Sequence, residues 1–201
     1  MTAPINDFTQ QELSFLRSQG ISPSEILDGR GMSNPIWKAL AKQGGFDFVL
    51  AGRCTNGGHR IKTRAGHCIQ CRTSAIAFVR RENAKANVYL AAAENRSIIK
   101  IGFASYIYAR EETLRREGYG GYWDWEILCW VKTPNAGQVE REISNLLSAR
   151  RIRGQYYKGY DVQDAIEMFS CDANNAVNIF TNYTKNHLGI NATISTSFEK
   201  M

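Results

Sequence analysis

Four residues of metal-binding type lie within one short stretch of the chain. They are a Cys-x-x-Cys pair with a cysteine and a histidine upstream, namely Cys54, His59, Cys68 and Cys71. Three thiolates and one imidazole are the donor set of a tetrahedral zinc site, and four protein ligands leave no position open for water. We therefore predict a structural Zn²⁺ site, with His59 as the fourth ligand because His67 directly adjoins Cys68. A redox pair and ordinary surface cysteines are the alternatives.

Positive charge is concentrated around the same stretch. The chain of 201 residues has a formal charge of +6, and residues 53–85 hold eight Lys or Arg residues against one acid, Glu82. Such a segment attracts a polyanion, of which nucleic acid is the commonest. A solvated basic surface is the alternative. The residues that we predict to contact nucleic acid are Arg60, Lys62, Arg64, Arg72, Arg80 and Arg81.

The chain from residue 87 onward has the pattern of strands and helices typical of a small α/β (α+β) sandwich around a mixed sheet. A strand predicted at 123–132 alternates apolar and polar residues and should bury one face, which includes Trp123. The other predicted elements are strands at 88–90 and 98–102 with a turn at 94–96, a helix at 106–117, a helix with Val139, Ile143, Leu146 and Leu147 on one stripe, a short strand at 155–157, and a helix that Asp161 caps and that carries Val162, Ile166 and Phe169.

Residues 87–160 resemble the GIY-YIG nuclease family, in particular the phage and bacterial branch whose second motif reads Lys-Ile-Gly. The motifs occur in the family's order: Asn87-Val88-Tyr89 at the first motif, Lys100-Ile101-Gly102 at the second, Arg110 on the following helix, and Glu140 within AGQVEREISNLL. The chain departs from the family's pattern at Asn87, Lys100 and Ser144, where the family has glycine, tyrosine and often histidine. These departures concern activity more than fold.

The resemblance implies a Mg²⁺-dependent endonuclease that hydrolyses phosphodiester bonds of DNA, with Tyr89, Lys100, Arg110 and Glu140 as the catalytic residues. Tyr89 would orient or deprotonate the attacking water, and Arg110 would hold phosphate oxygens. Glu140 would hold the Mg²⁺, which keeps most of its waters. Lys100 would bind the phosphate or, if desolvated, accept a proton.

Other interpretations of these residues stay open at this point. Each could serve structure alone, as a core aromatic, an edge-strand lysine, half of an intrahelical ion pair or a solvated helix residue. The helical pattern does not separate Glu140 from Glu142, since both flank the apolar stripe, and Glu140 is preferred on the family's spacing. The alternative functions are a non-catalytic nucleic-acid-binding protein that retains the fold, and an RNA-directed nuclease.

The remaining segments complete four predicted domains, at 1–50, 51–85, 86–170 and 171–201. The first should contain short helices, one capped by Thr9, one with Ile26 and Leu27, and one begun by Asn34-Pro35. The last should contain one helix at about 172–187 and a polar tail. Neither a signal peptide nor a run of membrane length is present in the sequence, which predicts a cytoplasmic protein without a membrane partner. Cys129 and Cys171 are expected to be buried single thiols.

Overall fold

The structure is a computed structural model that describes residues 1–199. In this described part the chain forms seven α-helices and two β-sheets, which confirms the predicted α+β class. It divides into two compact units, Met1–Arg80 and Arg81–Met201. None of the described helices combines the length and the apolar character that a membrane-spanning helix requires.

The first unit is built on a three-stranded sheet of order β1-β2-β3. Its strands are β1 (Ile26–Asp28), β2 (Phe48–Leu50) and β3 (Ile61–Thr63), and its helices are α1 (Gln10–Ser18), α2 (Asn34–Gln43) and most of α3 (Ser74–Glu82). Strands β1 and β2 pair in parallel, whereas β2 and β3 pair antiparallel. Thr9 begins α1 in a capping box with Glu12, as the sequence predicts.

The helix expected at Ile26 and Leu27 is wrong, because this segment forms strand β1 after a single 3₁₀ turn at Pro23–Glu25. Ile26 lies opposite Phe48 in the sheet and is fully buried. Pairing with β2 therefore decides the conformation of a segment whose local sequence is compatible with either structure. Strand β2 also pairs with β3, which lies within the metal-binding stretch. This stretch and the N-terminal helices therefore share one core.

The second unit contains a six-stranded sheet of order β7-β8-β5-β4-β6-β9. Its strands are β4 (Ala86–Ala93), β5 (Ile98–Ala104), β6 (Glu126–Thr133), β7 (Arg151–Lys158), β8 (Asp161–Ser170) and β9 (Thr193–Ile194). All of the described pairs in this sheet are antiparallel, and the mixed pairing occurs in the first unit instead. The polar segment after the last long helix, predicted as a tail, therefore contributes strand β9 to the sheet.

Helices cover both faces of this sheet, which gives the predicted sandwich. Helices α5 (Ala136–Leu146) and α6 (Ala173–Tyr183) pack on one face, where Val88, Leu90 and Ile101 point. Helix α4 (Ile107–Glu117) packs on the other face with Leu114 against Tyr89 and Trp125. The short helix α7 (Thr196–Glu199) follows β9. Cys129 and Cys171 are buried and unbridged, as expected.

The helix expected from Asp161 onward is wrong, because residues 161–170 form β8, the second strand of a hairpin with β7. Lys158 pairs with Asp161 across a two-residue turn, and Gly159 takes a positive φ of 66° there. Glycine in the left-handed region is typical of such tight hairpin turns. The spacing of Val162 and Ile166 resembles a helical stripe, but both side chains are exposed.

The strand β6 buries both faces rather than one because helices cover both sides of the sheet, and a β-bulge changes the face on which its residues lie. Leu90 lies opposite Cys129 while the next residue, Ala91, lies opposite Ile127, so Leu128 is an extra residue in β6. The bulge turns Ile127 toward the α4 face and Cys129 toward the α5 face. Trp123 precedes the strand and is 67% exposed, contrary to the predicted buried stripe. Leu146, at the end of α5, is also exposed.

Candidate active site and candidate metal centre

One cleft in the second unit is lined by all four residues that the sequence singles out for catalysis. Tyr89 comes from β4, Lys100 from β5, Arg110 from α4 and Glu140 from α5. The cleft has a volume of about 180 Å³, and its wall also includes Arg81, Gly102, Phe103 and Glu167. Residues that are up to 51 positions apart in the chain therefore meet at one solvent-reached point.

Tyr89 and Arg110 form the first pair in the cleft. The Arg110 Nε donates a hydrogen bond of 3.0 Å to the Tyr89 hydroxyl, and the tyrosine side chain is fully buried. The glycine at position 102 on β5 leaves space for the Tyr89 phenol, because a Cβ at this residue would lie 2.6 Å from the hydroxyl oxygen. Burial disfavours the charged form of Arg110, but the neighbouring Tyr89 oxygen outweighs this and leaves the pKa of Arg110 above its usual value.

Lys100 and Glu167 form the second pair. Lys100 is only 1% exposed, and its Nζ lies 2.7 Å from Oε2 of Glu167 and 4.3 Å from the centre of the Tyr119 ring. Burial alone would lower the pKa of Lys100, yet Tyr89 and Glu167 favour the ammonium form and leave the pKa above its usual value. The side chain of Lys100 is therefore a fixed cation, and this arrangement disfavours its use as a proton acceptor.

Arg81 connects the two carboxylates of the cleft. Its NH2 nitrogen lies 3.3 Å from Oε2 of Glu140 and 3.1 Å from Oε1 of Glu167. Burial and the charge of Glu167 raise the pKa of Glu140 to about 7. Burial acts in the same direction on Glu167, but Lys100 and Arg81 overcome it and hold the pKa of Glu167 at about 2. One carboxylate is thus charged over the usual pH range, while the other titrates near neutrality.

Glu167 is the cleft residue that sequence reasoning missed. Between the pairs Ile152 with Met168 and Gly154 with Ala165, two residues of β8 stand opposite one residue of β7. This irregularity falls at Glu167, and bulges of this kind commonly redirect a side chain beside a functional site. Because a helix is expected at this segment, Glu167 is not predicted to reach the cleft. Gly159, a turn signal two residues before Asp161, could have indicated the hairpin.

The structure also separates Glu140 from Glu142, which the helical pattern could not do. The Glu142 carboxylate accepts hydrogen bonds from Gln138 and from the Tyr183 hydroxyl, and this lowers the pKa of Glu142. It does not line the cleft that contains Glu140. Asn87, at the first departure from the family's pattern, donates a 2.9 Å hydrogen bond to the backbone oxygen of Ser105 and so joins β4 to the end of β5.

The first unit brings Cys54, His59, Cys68 and Cys71 into one cluster, with the four ligand atoms all within 4.8 Å of one another. The Cys54 and Cys71 sulfurs are 3.7 Å apart, and Nδ1 of His59 lies 3.3 Å from the Cys71 sulfur and 3.7 Å from the Cys68 sulfur. A tetrahedral zinc site has sulfur–sulfur edges of about 3.8 Å and nitrogen–sulfur edges of about 3.6 Å. The cluster therefore fits a Zn²⁺ ion, and His67 is not a member of it.

Removal of one thiolate from this cluster should release the metal. We expect the purified protein to contain about one zinc per chain, and Cys71→Ser to contain much less, because three ligands hold a structural ion poorly. The residues around the cluster should loosen while the sheet of the second unit stays folded. Elemental analysis measures the zinc content, and circular dichroism measures the fold. Protein that contains no zinc although it was never exposed to a chelator would contradict the assignment. Cys129→Ser provides a control that should leave the zinc content unchanged.

The six basic residues expected to contact nucleic acid differ in their surroundings. Arg60 forms a partly buried ion pair with Glu12 and donates to the Asp7 carbonyl oxygen. Arg80 donates to the backbone oxygens of Gln19 and Gly20, and Arg81 belongs to the cleft. The side chains without an ion pair among the described residues are Lys62, Arg64 and Arg72.

Comparison with known proteins gives one family match. Residues 86–183 match the family described as the T5orf172 domain, a phage-associated nuclease-like domain. The matched segment contains every residue of the cleft except Arg81, and it includes Glu167. It therefore indicates a nuclease-related, nucleic-acid-binding function for the second unit. Searches of curated proteins and of solved structures gave no match.

Proposed function

We propose that the second unit is a Mg²⁺-dependent endonuclease of GIY-YIG type that hydrolyses phosphodiester bonds of DNA. The observation that carries this proposal is the meeting of Tyr89, Lys100, Arg110 and Glu140 at one cleft. A group of residues that served only local packing would have no reason to line one pocket together. The similarity of residues 86–183 to a nuclease-like domain supports the same conclusion.

Tyr89 and Arg110 act as a unit in this proposal. The Tyr89 oxygen accepts the Arg110 Nε–H, which leaves its own hydroxyl proton and one lone pair free to hydrogen-bond with a water molecule in the cleft and orient it. The guanidinium nitrogens that Tyr89 does not use can donate to phosphate oxygens, where charge grows during cleavage.

Lys100 supplies a second positive charge in the cleft. Glu167 holds its ammonium group in place, and the surrounding burial strengthens its interaction with any nearby anion. We infer that Lys100 stabilises charge on the phosphate. The geometry favours this role over the proton acceptor that its sequence position also allowed.

Glu140 is the residue that would hold the metal. Its carboxylate faces the cleft, and Mg²⁺ is commonly bound through one or two carboxylates and retained waters. A Mg²⁺ ion held there would supply positive charge for the phosphate and the departing oxygen. Arg81 now contacts Glu140, so its guanidinium occupies part of the space next to this carboxylate. The first unit, with its Cys/His cluster and the basic residues Lys62, Arg64 and Arg72, would hold the nucleic acid.

Incubation of the full chain with supercoiled plasmid and with structured RNA tests this function directly. We expect nicked or linear plasmid with Mg²⁺ and intact plasmid with Ca²⁺ or without added metal. Omission of the ion is preferable to a chelator, because a chelator would also strip the Cys/His cluster. Cleavage of RNA alone would assign the same chemistry to RNA. Protein that binds both nucleic acids but cuts neither with Mg²⁺ or Mn²⁺ would instead be a binding protein.

Glu167→Gln should both slow the reaction and change its pH dependence. Loss of the partner of Lys100 should lower the rate roughly 10- to 100-fold, as is usual for residues that support a catalytic group. Loss of the negative charge beside Glu140 should lower the pKa of Glu140 from about 7, so the acidic limb of the rate profile should move to lower pH. Rate profiles at subsaturating Mg²⁺ measure both effects.

The matched control is Asp164→Asn, an exposed substitution on the same strand, which should change neither the rate nor the profile. A slower Glu167→Gln enzyme whose acidic limb stays at the wild-type pH would show that Glu167 only stabilises the fold.

A further inference from the structure

A second pocket lies in the first unit, on the outer side of α3 and next to the Cys/His cluster. Its volume of about 440 Å³ falls within the range of about 300–1,000 Å³ that small-ligand sites occupy. Its lining combines apolar side chains with one arginine and one imidazole: Ala65, His67, Arg72, Ala75, Phe78 and Val79. The nuclease proposal uses only Arg72 from this lining, as a basic residue that holds nucleic acid, and assigns no role to the pocket itself.

Phe78 is the unusual member of this lining. Helix α3 directs Ile76 into the core of the unit, so the helix already has a buried face. Phe78 lies on another side of the helix and is 58% exposed, although a phenyl ring is strongly favoured in the interior. Ala75 and Thr63 form a buried floor beneath the pocket, and a flat ligand that entered it would meet the ring of Phe78.

Arg72 brings a positive charge to the same pocket. Arg72 and His67 stand at its wall, and Arg72 is held in position because its backbone N–H bonds to the Cys68 carbonyl oxygen at 3.1 Å. The His67 backbone N–H donates to the Thr63 hydroxyl at 3.2 Å, which fixes the turn after β3. The sequence contains no acid between Asp47 and Glu82. The pocket thus offers an aromatic face and a cation, with no carboxylate from its own segment.

We propose that this pocket receives an unpaired base of a nucleic acid strand, stacked on Phe78, with the phosphate of that nucleotide at Arg72. An aromatic face beside a basic surface is the usual arrangement for binding single strands, because every base has a π face. A base inside a duplex is stacked on its neighbours and cannot enter such a pocket. The site would therefore favour single-stranded, frayed or flipped nucleotides over intact duplex. This inference goes beyond the nuclease assignment and rests on it only for the class of ligand.

Binding by the full, zinc-containing chain to a labelled single strand and to the matching duplex tests the proposal, without added divalent metal and over a salt series. Phe78→Ala should weaken single-strand binding roughly tenfold or more, with little change for the duplex. The salt dependence should stay the same, since no charge is lost. Arg72→Gln should instead reduce the slope of log affinity against log salt for the single strand by about 0.7.

Two variants serve as controls. Ile36→Ala removes an apolar side chain on α2 that is similarly exposed, at 54%, and should leave binding unchanged. Phe78→Trp keeps an aromatic face and should retain single-strand binding. Zinc content and thermal unfolding identify any variant that has lost its fold.

A Phe78→Ala protein that binds the single strand as tightly as wild type overturns the proposal and leaves the pocket to another class of ligand. Equal losses for single strand and duplex also overturn it. Because no cleavage is measured, a protein that cuts nothing can still pass this test, and an active nuclease can fail it.

Discussion

Replacement of Arg110 by alanine should reduce Mg²⁺-dependent cleavage by about 10³-fold, the size of effect seen when one donor to a developing negative charge is removed. Arg110 touches Tyr89 at 3.0 Å and lies at the cleft, so it can act on both the water-activating phenol and the phosphate. Both effects belong to the transition state, and binding of intact DNA should change little. Single-turnover cleavage and a separate binding titration measure the two quantities.

Two further substitutions sharpen this result. Arg110→Lys keeps the charge but loses the planar fork, and it should recover only a small part of the rate. Arg116→Ala, an exposed arginine on the same helix, should be as active as wild type. An Arg110→Ala enzyme within a few-fold of the wild-type rate would place the reacting phosphate away from Tyr89 and refute this cleft as the active site.

Glu140→Gln should lower cleavage by about 10³-fold or more at every accessible Mg²⁺ concentration, because glutamine keeps the shape of the side chain but not the charge that holds the cation. The substitution also removes the group whose pKa lies at about 7, so the remaining activity should lose the acidic limb of its pH profile. Arg81 would keep Glu167 as a partner, and the fold should survive. Rates over a Mg²⁺ titration at several pH values provide the measurement.

Glu142→Gln is the matched control for this prediction. Its carboxylate accepts hydrogen bonds from Tyr183 and Gln138 and lies outside the cleft, so its loss should lower thermal stability without stopping the reaction. The opposite pattern, in which Glu142→Gln is inactive and Glu140→Gln is active, would show that the metal-binding position on α5 is two residues further along.

The parts of the fold that could be predicted are those whose local signals agree with their tertiary environment. Thr9 and Glu12 form a capping box, and strands β4 and β5 are mostly apolar, with Asn87 and Lys100 as the exceptions, and are largely buried on both faces. Tyr89, Lys100 and Arg110 lie within β4, β5 and α4, three elements that follow one another in the chain, and they line one cleft. The Cys/His ligands could also be predicted from local spacing. Cys68 and Cys71 belong to one short turn, Cys54 and His59 belong to another, and the four ligand atoms form one cluster.

The parts that could not be predicted depend on pairing between distant residues. The local sequence around Ile26 is compatible with a helix or a strand, and pairing with Phe48 makes it a strand. The bulge at Leu128 places Ile127 and Cys129 on opposite faces of β6, although simple alternation would put them on the same face. It arises from the register between β6 and β4. Glu167 enters the cleft because β8 pairs with both β7 and β5, which a helical interpretation of 161–170 excludes. Local periodicity carries no information on such contacts.

The strand β9 has a consequence for work on isolated fragments. Thr193 and Ile194 pair with Trp130 and Cys129, and they cover part of the outer side of β6. The family match ends at residue 183, so a fragment cut at that boundary would lack β9 and leave the backbone N–H and C=O groups of β6 without that partner. Uncovered edges of this kind recruit strands from other molecules. Such a fragment is expected to aggregate, even though it contains nearly the whole cleft.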